Sequence, residues 1–532
     1  MTWQQIYDPL GNMIMSTALA AIPVVVMLAA LGFFHIKAHI AAGMGLIAAV
    51  LVAVFAYGMP AEMAGKAAMY GGFTGLLPIG WIVLNIIFLQ QLAEKNGSFK
   101  ILQDSLSGIT GDRRLQLLLI AFCFGAFFEG AAGFGTPVAV TAGILIGLGS
   151  SPLAASGLSL IANTAPVAFG ALGTPVITLA KVHRKAMMEI LPAILVTGVS
   201  FAIPQYLVSN FIGPELVDII AAMTSMASLI LFLRVWQPKK LWTSPTMRGK
   251  DVSAAEAKPP QPVVQHSRAD LIRAWTSWVI LSVFVFIWGL PDFKAWLNGL
   301  FAPKFPIEGL HNLILKVPPV VPKIHPEAAV YTLNLLSATG TGILLSAIVG
   351  ALVMKYNPVE IVGNYLRTFW LVRYSLLTIV LMLALGTLTR YSGTDTTLGL
   401  AFANTGVFYP FFGTLMGWIG VAMTGSDTAS NVLFGGMQKV AAEQLGLSPN
   451  LMGAANSSGG RDGQDDRRAV HRRGQHRHAL VQPRRRHPAL RVLPLHRIGQ
   501  PGGPVRDASS LRLAVHADGR ALNPEASPCK PH

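Results

Sequence analysis

Two acidic residues lie beside glycines or small polar residues where apolar stretches are interrupted, and both could do chemistry there. Glu129 lies between Phe128 and Gly130, and Asp427 follows Ser426 just before another apolar run. Ionisable side chains inside a membrane are costly, and their usual role is functional. Burial favours the neutral form of a carboxyl group, so Glu129 and Asp427 are candidates for proton coupling. Two other roles stay open: Glu129 as an interfacial carboxylate at a helix end, and Asp427 as a helix N-cap.

A second group of candidates consists of glycine and small polar residues. A monocarboxylate needs hydrogen-bond donors and positive potential, and the N-termini of broken helices supply both. Side-chain amides and hydroxyls near such ends could complete a cage around the anion. The candidates for substrate binding are Gly133, Asn163, Thr164, Ser426, Asn456 and Ser457. Hydrogen bonding between helices is an equally open role for the Asn and Ser residues. Asp395, in the string SGTDTT, is expected to cap the following helix.

The surroundings of the two acidic residues form a faint internal repeat. Glu129 is followed 19 residues later by LGSSP (148–152), and Asp427 is followed 18 residues later by LGLSP (445–449). An Asn among small polar residues comes next in each case. Inverted repeats of this kind are typical of secondary transporters, whose binding sites form where broken helices meet near mid-membrane.

The composition indicates a membrane protein. Of 532 residues, 52% are hydrophobic and 12% are charged, and the mean hydropathy is +0.52. A soluble protein carries about twice that share of charge. Hydrophobic stretches long enough to span a bilayer recur along the chain, roughly a dozen in all. We therefore predict an all-α polytopic membrane protein with two inverted-repeat halves and broken or re-entrant helices.

The charge distribution argues against nucleic-acid binding. The formal net charge is +16, but residues 461–532 contribute +9 of it, from 14 Arg and 1 Lys against 5 Asp and 1 Glu. The remaining basic residues cluster in short connections at 95–114, 183–185 and 234–273, as the positive-inside rule predicts for cytoplasmic loops. The expected partners are a small monocarboxylate, protons and the lipid bilayer. Two cysteines support neither a disulfide framework nor a metal site, and no cofactor is expected.

Polar segments divide the chain into four parts. We expect a first membrane half at 1–236, a cytoplasmic linker at 237–268, a second membrane half at 269–460 and a basic tail at 461–532. The linker is rich in proline, lysine and small polar residues, which favours solvated chain. The connection from Pro291 to Pro326 is also polar and is expected on the opposite face.

Several long strings closely resemble the lactate permease family. They are WQQIYDP (3–9), FCFGAFFEGAAGFGTPVAVTAG (122–143), ANTAPVAFGALGTP (162–175), SNFIGPEL (209–216) and MTGSDTASNVLFGG (423–436). The resemblance implies a multi-pass inner-membrane importer that couples protons to L-lactate, with D-lactate and glycolate as related substrates. It also implies membership of a superfamily of anion carriers built from two inverted halves with re-entrant hairpins.

The chain departs from the family pattern in two places. Near Val182 a polar loop and one hydrophobic helix of the family are missing. From Arg461 the family's final hydrophobic helix is replaced by a tail rich in Arg and His, which we interpret as the result of a shifted reading frame. A basic segment that binds anionic lipid or nucleic acid is the other interpretation of this tail.

Three rival functions stay open at this stage. One is a sodium-coupled or dicarboxylate carrier of the same superfamily, and another is an inactive product that lacks needed parts. The third, a membrane-embedded enzyme, is disfavoured because the sequence has no phosphate-binding loop, HExxH motif or nucleophile elbow.

Overall fold

The computed structural model describes residues 2–131, 188–211, 217–238, 266–424 and 427–459, with a few positions between 141 and 162. In chain order the helices are α1 (Met13–Gly32), α2 (Ala38–Leu51), α3 (Ala61–Thr74), α4 (Trp81–Lys95), α5 (Ser98–Ser107), α6 (Arg113–Gln116), α7 (Gly125–Ala131), α8 (Leu191–Phe211), α9 (Val217–Val235), α10 (Arg268–Gly289), α11 (Pro291–Leu300), α12 (Thr339–Val353), α13 (Pro358–Ser392), α14 (Thr394–Ala403), α15 (Tyr409–Thr424), α16 (Asp427–Gln444) and α17 (449–459). Stretches of π-helix at Val52–Ala56, Gly75–Gly80 and Leu117–Phe124 extend α2, join α3 to α4 and join α6 to α7.

The predicted fold class is confirmed in the described part of the chain. Seven helical segments there are long and apolar enough to cross a membrane, namely Met13–Gly32, Ala38–Ala56, Ala61–Lys95, Leu191–Phe211, Val217–Val235, Arg268–Gly289 and Pro358–Ser392. Large apolar side chains such as Ile14, Phe55 and Val359 are more than 80% exposed on these helices. An apolar surface of this kind suits contact with lipid.

In the described part of the chain, helices of each half pack against helices of the other half. In the first half α1 packs against α2, but it also packs against α14 of the second half. In the second half α10 packs against α12, and it packs likewise against α5 of the first half. The exchange continues with α2 against α13 and α12 against α4. Each half thus contributes helices that pack against the other half, and the largest described hydrophobic cores contain residues from both halves.

Each half ends a long span in the same way. The segments Ala61–Lys95 and Pro358–Ser392 are both 35 residues long, and each is followed by a ten-residue helix. The residue directly before each ten-residue helix is a glycine in the left-handed conformation, Gly97 with φ +76° and Gly393 with φ +83°. Only glycine adopts this conformation without strain, so these two residues set the sharp change of direction.

A small β-structured cap, defined by strands β1 (Trp3–Gln4), β2 (Lys304–Pro306), β3 (Ile314–Lys316), β4 (His325–Pro326) and β5 (Val330–Thr332), was not predicted. β1 pairs in parallel with β3, β3 pairs antiparallel with β4, and β2 pairs antiparallel with β5. The N-terminal segment and the 291–338 connection therefore lie on the same face. Strands of two or three residues leave no alternating pattern in the sequence, which is why the cap was missed.

Gln5 ties the N-terminal segment to the end of α13. Its Nε2 donates to the carbonyl oxygens of Arg390 and Tyr391, at 3.0 and 2.9 Å, and the residue is only 2% exposed. The last carbonyls of a helix have no partner within the helix. Gln5 supplies that partner from 385 positions away in the chain.

Glu327 is the charged centre of the cap. It forms ion pairs with Arg390 and with Lys316, the latter at 2.9 Å. Burial pushes the pKa of Glu327 upward, but the hydrogen bond from Lys316 and the charge of Arg390 outweigh burial and hold the pKa below its ordinary value. A carboxyl group with a lowered folded-state pKa stabilises the fold above its unfolded pKa and loses that contribution as the pH falls.

We expect Glu327→Gln to make the unfolding temperature less dependent on pH in the acidic range. Between about pH 5 and about pH 3 the wild-type unfolding temperature should drop more steeply than that of the variant, because only the wild type has this carboxylate to protonate. Thermal unfolding of detergent-purified protein measures this difference. Glu308→Gln, on an exposed residue of the same connection, should follow the wild type. Parallel wild-type and Glu327→Gln profiles would contradict the assignment.

Candidate substrate and proton site

The structure describes four of the eight residues proposed for the site. Glu129, Asp427, Asn456 and Ser457 are among the described residues. The other four, which are Gly133, Asn163, Thr164 and Ser426, lie outside them. The described part of the site therefore lies mostly in the second half of the repeat.

The Asp427 carboxylate is held by two donors from two helices. Its Oδ2 accepts a hydrogen bond of 2.6 Å from Ser457 Oγ of α17 and one of 3.1 Å from Asn431 Nδ2, one turn along α16. Hydrogen bonds of this kind stabilise the negative charge of a carboxylate. The structure thus brings the predicted Asp427 and Ser457 into direct contact.

The network continues away from Asp427 through three further side chains. Asn456 Nδ2 donates to Asn431 Oδ1 at 2.8 Å, and Gln438 Nε2 donates to Asn456 Oδ1 at 3.2 Å. Gln438 Oε1 in turn accepts from the Tyr409 hydroxyl at 2.5 Å. Every donor in this chain points toward Asp427, so the hydrogen bonds polarise one another in one direction.

The network is buried and anchored to backbone. Tyr409, Gln438 and Asn456 are each at most 1% exposed. Gln438 Nε2 also donates to the carbonyl of Gly413 at 2.8 Å, which fixes the side chain to α15. Asn456 and Ser457 therefore make hydrogen bonds between helices, the open alternative for these residues, and they do so around a carboxylate.

Close helix packing brings these side chains together. A Cβ atom added to Gly417 of α15 would lie 2.0 Å from the carbonyl oxygen of Asn456. One added to Gly420 would lie 2.3 Å from Ser430 Oγ of α16. Glycine at both places lets α16 and α17 approach the backbone of α15 closely.

Glu129 lies elsewhere in the helix packing. It belongs to α7, near the end of the helical stretch 113–131, and is half-buried. α7 packs against α9, whereas α16, which carries Asp427, packs against α13, α14 and α15. Within the described residues, the two carboxylates thus belong to different sets of contacting helices.

Sequence reasoning missed Asn431, Gln438 and Tyr409 as members of the site. A usable signal was present, because Asp427, Asn431 and Gln438 follow one another at spacings of four and seven residues, which puts them on one face of a helix. Tyr409 carries no comparable signal. It reaches Gln438 only through the packing of α15 against α16.

We expect Gly417→Ala to destabilise the protein by about 1–3 kcal/mol, because the added methyl group must displace the backbone of α17. Thermal unfolding in detergent should show a lower unfolding temperature. Gly453→Ala, on α17 itself, is the matched control, since a Cβ there meets no atom within 4 Å. Equal unfolding temperatures for the two variants would show that α15 and α17 do not pack as described.

Spanning helices that break at equivalent places, together with a buried polar network between helices, are features of a secondary transporter. The comparison with known families agrees with this class. The model of the L-lactate permease family matches residues 16–190 and 179–464. The chain belongs to the L-lactate permease family.

Several curated bacterial proteins are similar over most of their length. The glycolate permease GlcA of Escherichia coli strain K12 is 42% identical over 504 residues, covering 86% of this chain and 89% of that protein. The L-lactate permease of Salmonella typhimurium strain LT2 is 40% identical over 502 residues, with the same two coverages. The L-lactate permease of Bacillus subtilis strain 168 is 40% identical over 516 residues, covering 86% and 90%. Among solved structures, the YdaH transporter of Alcanivorax borkumensis shares 16% identity at a TM-score of 0.37 and covers 75% of this chain and 76% of that one.

The family match also bears on the two departures from the family pattern. It falls into two segments that meet around residues 179–190, the neighbourhood of Val182. The 504 positions aligned with the glycolate permease exceed 86% of a 532-residue chain, so that alignment passes over positions that this chain lacks. The second segment ends at residue 464, close to Arg461. The structures of both regions lie outside the described residues.

Proposed function

We propose that this chain imports L-lactate and related 2-hydroxymonocarboxylates, including D-lactate and glycolate, by proton symport across the inner membrane. The names of the curated relatives support this substrate class, since they are L-lactate permeases and a glycolate permease. The observation on which the coupling proposal depends is the hydrogen-bonded network around Asp427.

The two donors that bind Asp427 are also suitable donors for a substrate carboxylate. Ser457 Oγ and Asn431 Nδ2 both donate to the same oxygen, Oδ2 of Asp427. A protonated carboxyl group is a weaker acceptor than a carboxylate, so protonation of Asp427 makes both donors available. The substrate anion and the ionised Asp427 thus compete for the same groups, and a proton removes the competitor. Proton and anion then bind together, which is the basis of symport.

The other predicted residues extend this scheme to the first half of the chain. Glu129 is proposed as a second proton-coupling group, because its position in the repeat matches that of Asp427. Asn456 lies one hydrogen bond farther from Asp427 than Asn431 does and is proposed to contact the substrate together with Ser457. From the first half, Gly133, Asn163 and Thr164 are proposed to complete the cage. Ser426, which precedes Asp427 in the sequence, is proposed to contribute its hydroxyl.

We expect vesicles that contain the purified full chain to accumulate L-lactate when an inward proton gradient is imposed. An equal sodium gradient without a proton gradient should drive no accumulation. Excess glycolate should compete with L-lactate, and excess succinate should not. Sodium-driven uptake or competition by succinate would favour the sodium-coupled or dicarboxylate carrier instead.

In the same vesicles Glu129→Gln should lose proton-driven accumulation while inserting at wild-type levels. The amide has the size of the carboxyl group but cannot release a proton. Glu308→Gln provides the matched control on an exposed residue. Wild-type accumulation by the Glu129→Gln variant would exclude Glu129 from coupling. If the wild-type chain folds but takes up no lactate under any gradient, it is the inactive product that the missing helix suggests.

A further inference from the structure

Asp395 is a buried carboxylate that the coupling scheme does not use. α14 begins at Thr394 with Gly393 in the N-cap position, so Asp395 lies in the first turn of the helix and not at the cap. Its residue is 7% exposed. Its hydrogen-bond donors are the backbone N–H of Thr396 and, at 3.4 Å, the hydroxyl of the same residue. Both donors are neutral.

Within the described residues, no basic side chain lies within 4.0 Å of the Asp395 carboxylate. The cations that interact electrostatically with it are Lys316 of the cap and Arg390 of α13. Both of these cations form ion pairs with Glu327, whose negative charge offsets theirs. An ionised Asp395 would therefore be buried without a paired cation, which is a costly arrangement.

In the described part of the chain, the contacts that α16, the N-terminal segment and the end of the α2 span make around Asp395 are uncharged. α16 presents Gly436 here, and a Cβ added to that glycine would lie 2.3 Å from Asp395 Oδ2. From the N-terminal segment and the end of the α2 span come the phenols of Tyr7 and Tyr57, which interact electrostatically with Asp395. On these sides the described residues named here add no positive charge to that of Lys316 and Arg390.

The first half of the repeat shows that the fold does not need a carboxylate at this position. There Gly97 is followed by Ser98 and Phe99, where the second half has Gly393, Thr394 and Asp395. Phe99 is likewise 7% exposed and belongs to the hydrophobic core. The same turn is therefore closed by an apolar side chain in one half and by an acid in the other. A structural role alone does not explain the acid.

We propose that Asp395 holds a proton in this conformation and releases it when α14 and α16 move apart. Separation of these helices would expose the carboxyl group to water, where the ionised form is favoured. The proton on Asp395 would then stabilise the conformation described here, and its loss would favour the other one. This inference depends on the proposed function, because it adds a third carboxyl group to the coupling of proton movement and transport.

Infrared difference spectroscopy tests the protonation state directly on the purified full chain. We expect the wild-type spectrum at neutral pH to contain the carbonyl stretch of a protonated carboxylic acid, and Asp395→Asn to lack that band. The matched variants Gly436→Ala and Gly435→Ala should differ in the position of this band. The band should shift in Gly436→Ala, whose methyl group meets Oδ2, and stay in place in Gly435→Ala, whose methyl group meets no atom within 4 Å. Identical wild-type and Asp395→Asn spectra would overturn the proposal.

Transport assays in vesicles test the role in coupling. Asp395→Asn mimics the protonated acid, so we expect it to exchange internal for external lactate at the wild-type rate and to lose proton-driven accumulation. Normal accumulation by Asp395→Asn would overturn the proposal. If the wild type itself fails to accumulate lactate with protons, the proposed function fails, and the infrared band still decides whether Asp395 is protonated.

Discussion

A carboxyl group inside a membrane protein has to be hydrogen-bonded, paired with a cation or neutral, and this requirement organises the second half of the molecule. Glu327 is paired, with Lys316 and Arg390 in the cap. Asp427 accepts hydrogen bonds from Ser457 and Asn431. These two arrangements differ in what a proton does to them. In the cap a proton would break ion pairs, and at Asp427 we propose that it releases donors that a substrate anion can use.

The breaks in the helices impose a matching requirement on the backbone. Carbonyl groups freed at the end of α13 need donors, and in a bilayer water cannot supply them. Gln5 meets that need from the N-terminal segment, which β1 holds in the cap through its pairing with β3. The cap therefore does more than cover one face of the protein. Through Gln5 it also fixes the end of α13, directly before Gly393, the left-handed residue that joins α13 to α14.

Part of this arrangement follows from the sequence alone. Apolar length and low charge predict the membrane fold, and the repeat around Glu129 and Asp427 predicts two related halves. Asp427, Asn456 and Ser457 were also predicted for one site. In the structure Ser457 bonds to Asp427 directly, and Asn456 is linked to Asp427 through Asn431. The contacts that depend on which helices meet could not be predicted. Gln5 reaches α13 across 385 positions, and Tyr409 reaches Gln438 only because α15 packs on α16. The burial of Asp395 could not be predicted, because an acid that caps a helix and an acid that is buried can have the same local sequence.

The central claim is that Asp427 and the substrate anion compete for the same donors. The number of protons taken up when L-lactate binds tests it most directly, and calorimetry of the purified chain in buffers of different ionisation enthalpy measures that number. The account predicts that the wild type takes up protons on binding lactate and that Asp427→Asn binds lactate with a smaller uptake. Equal proton uptake by the two proteins, with lactate bound in both, would contradict the claim.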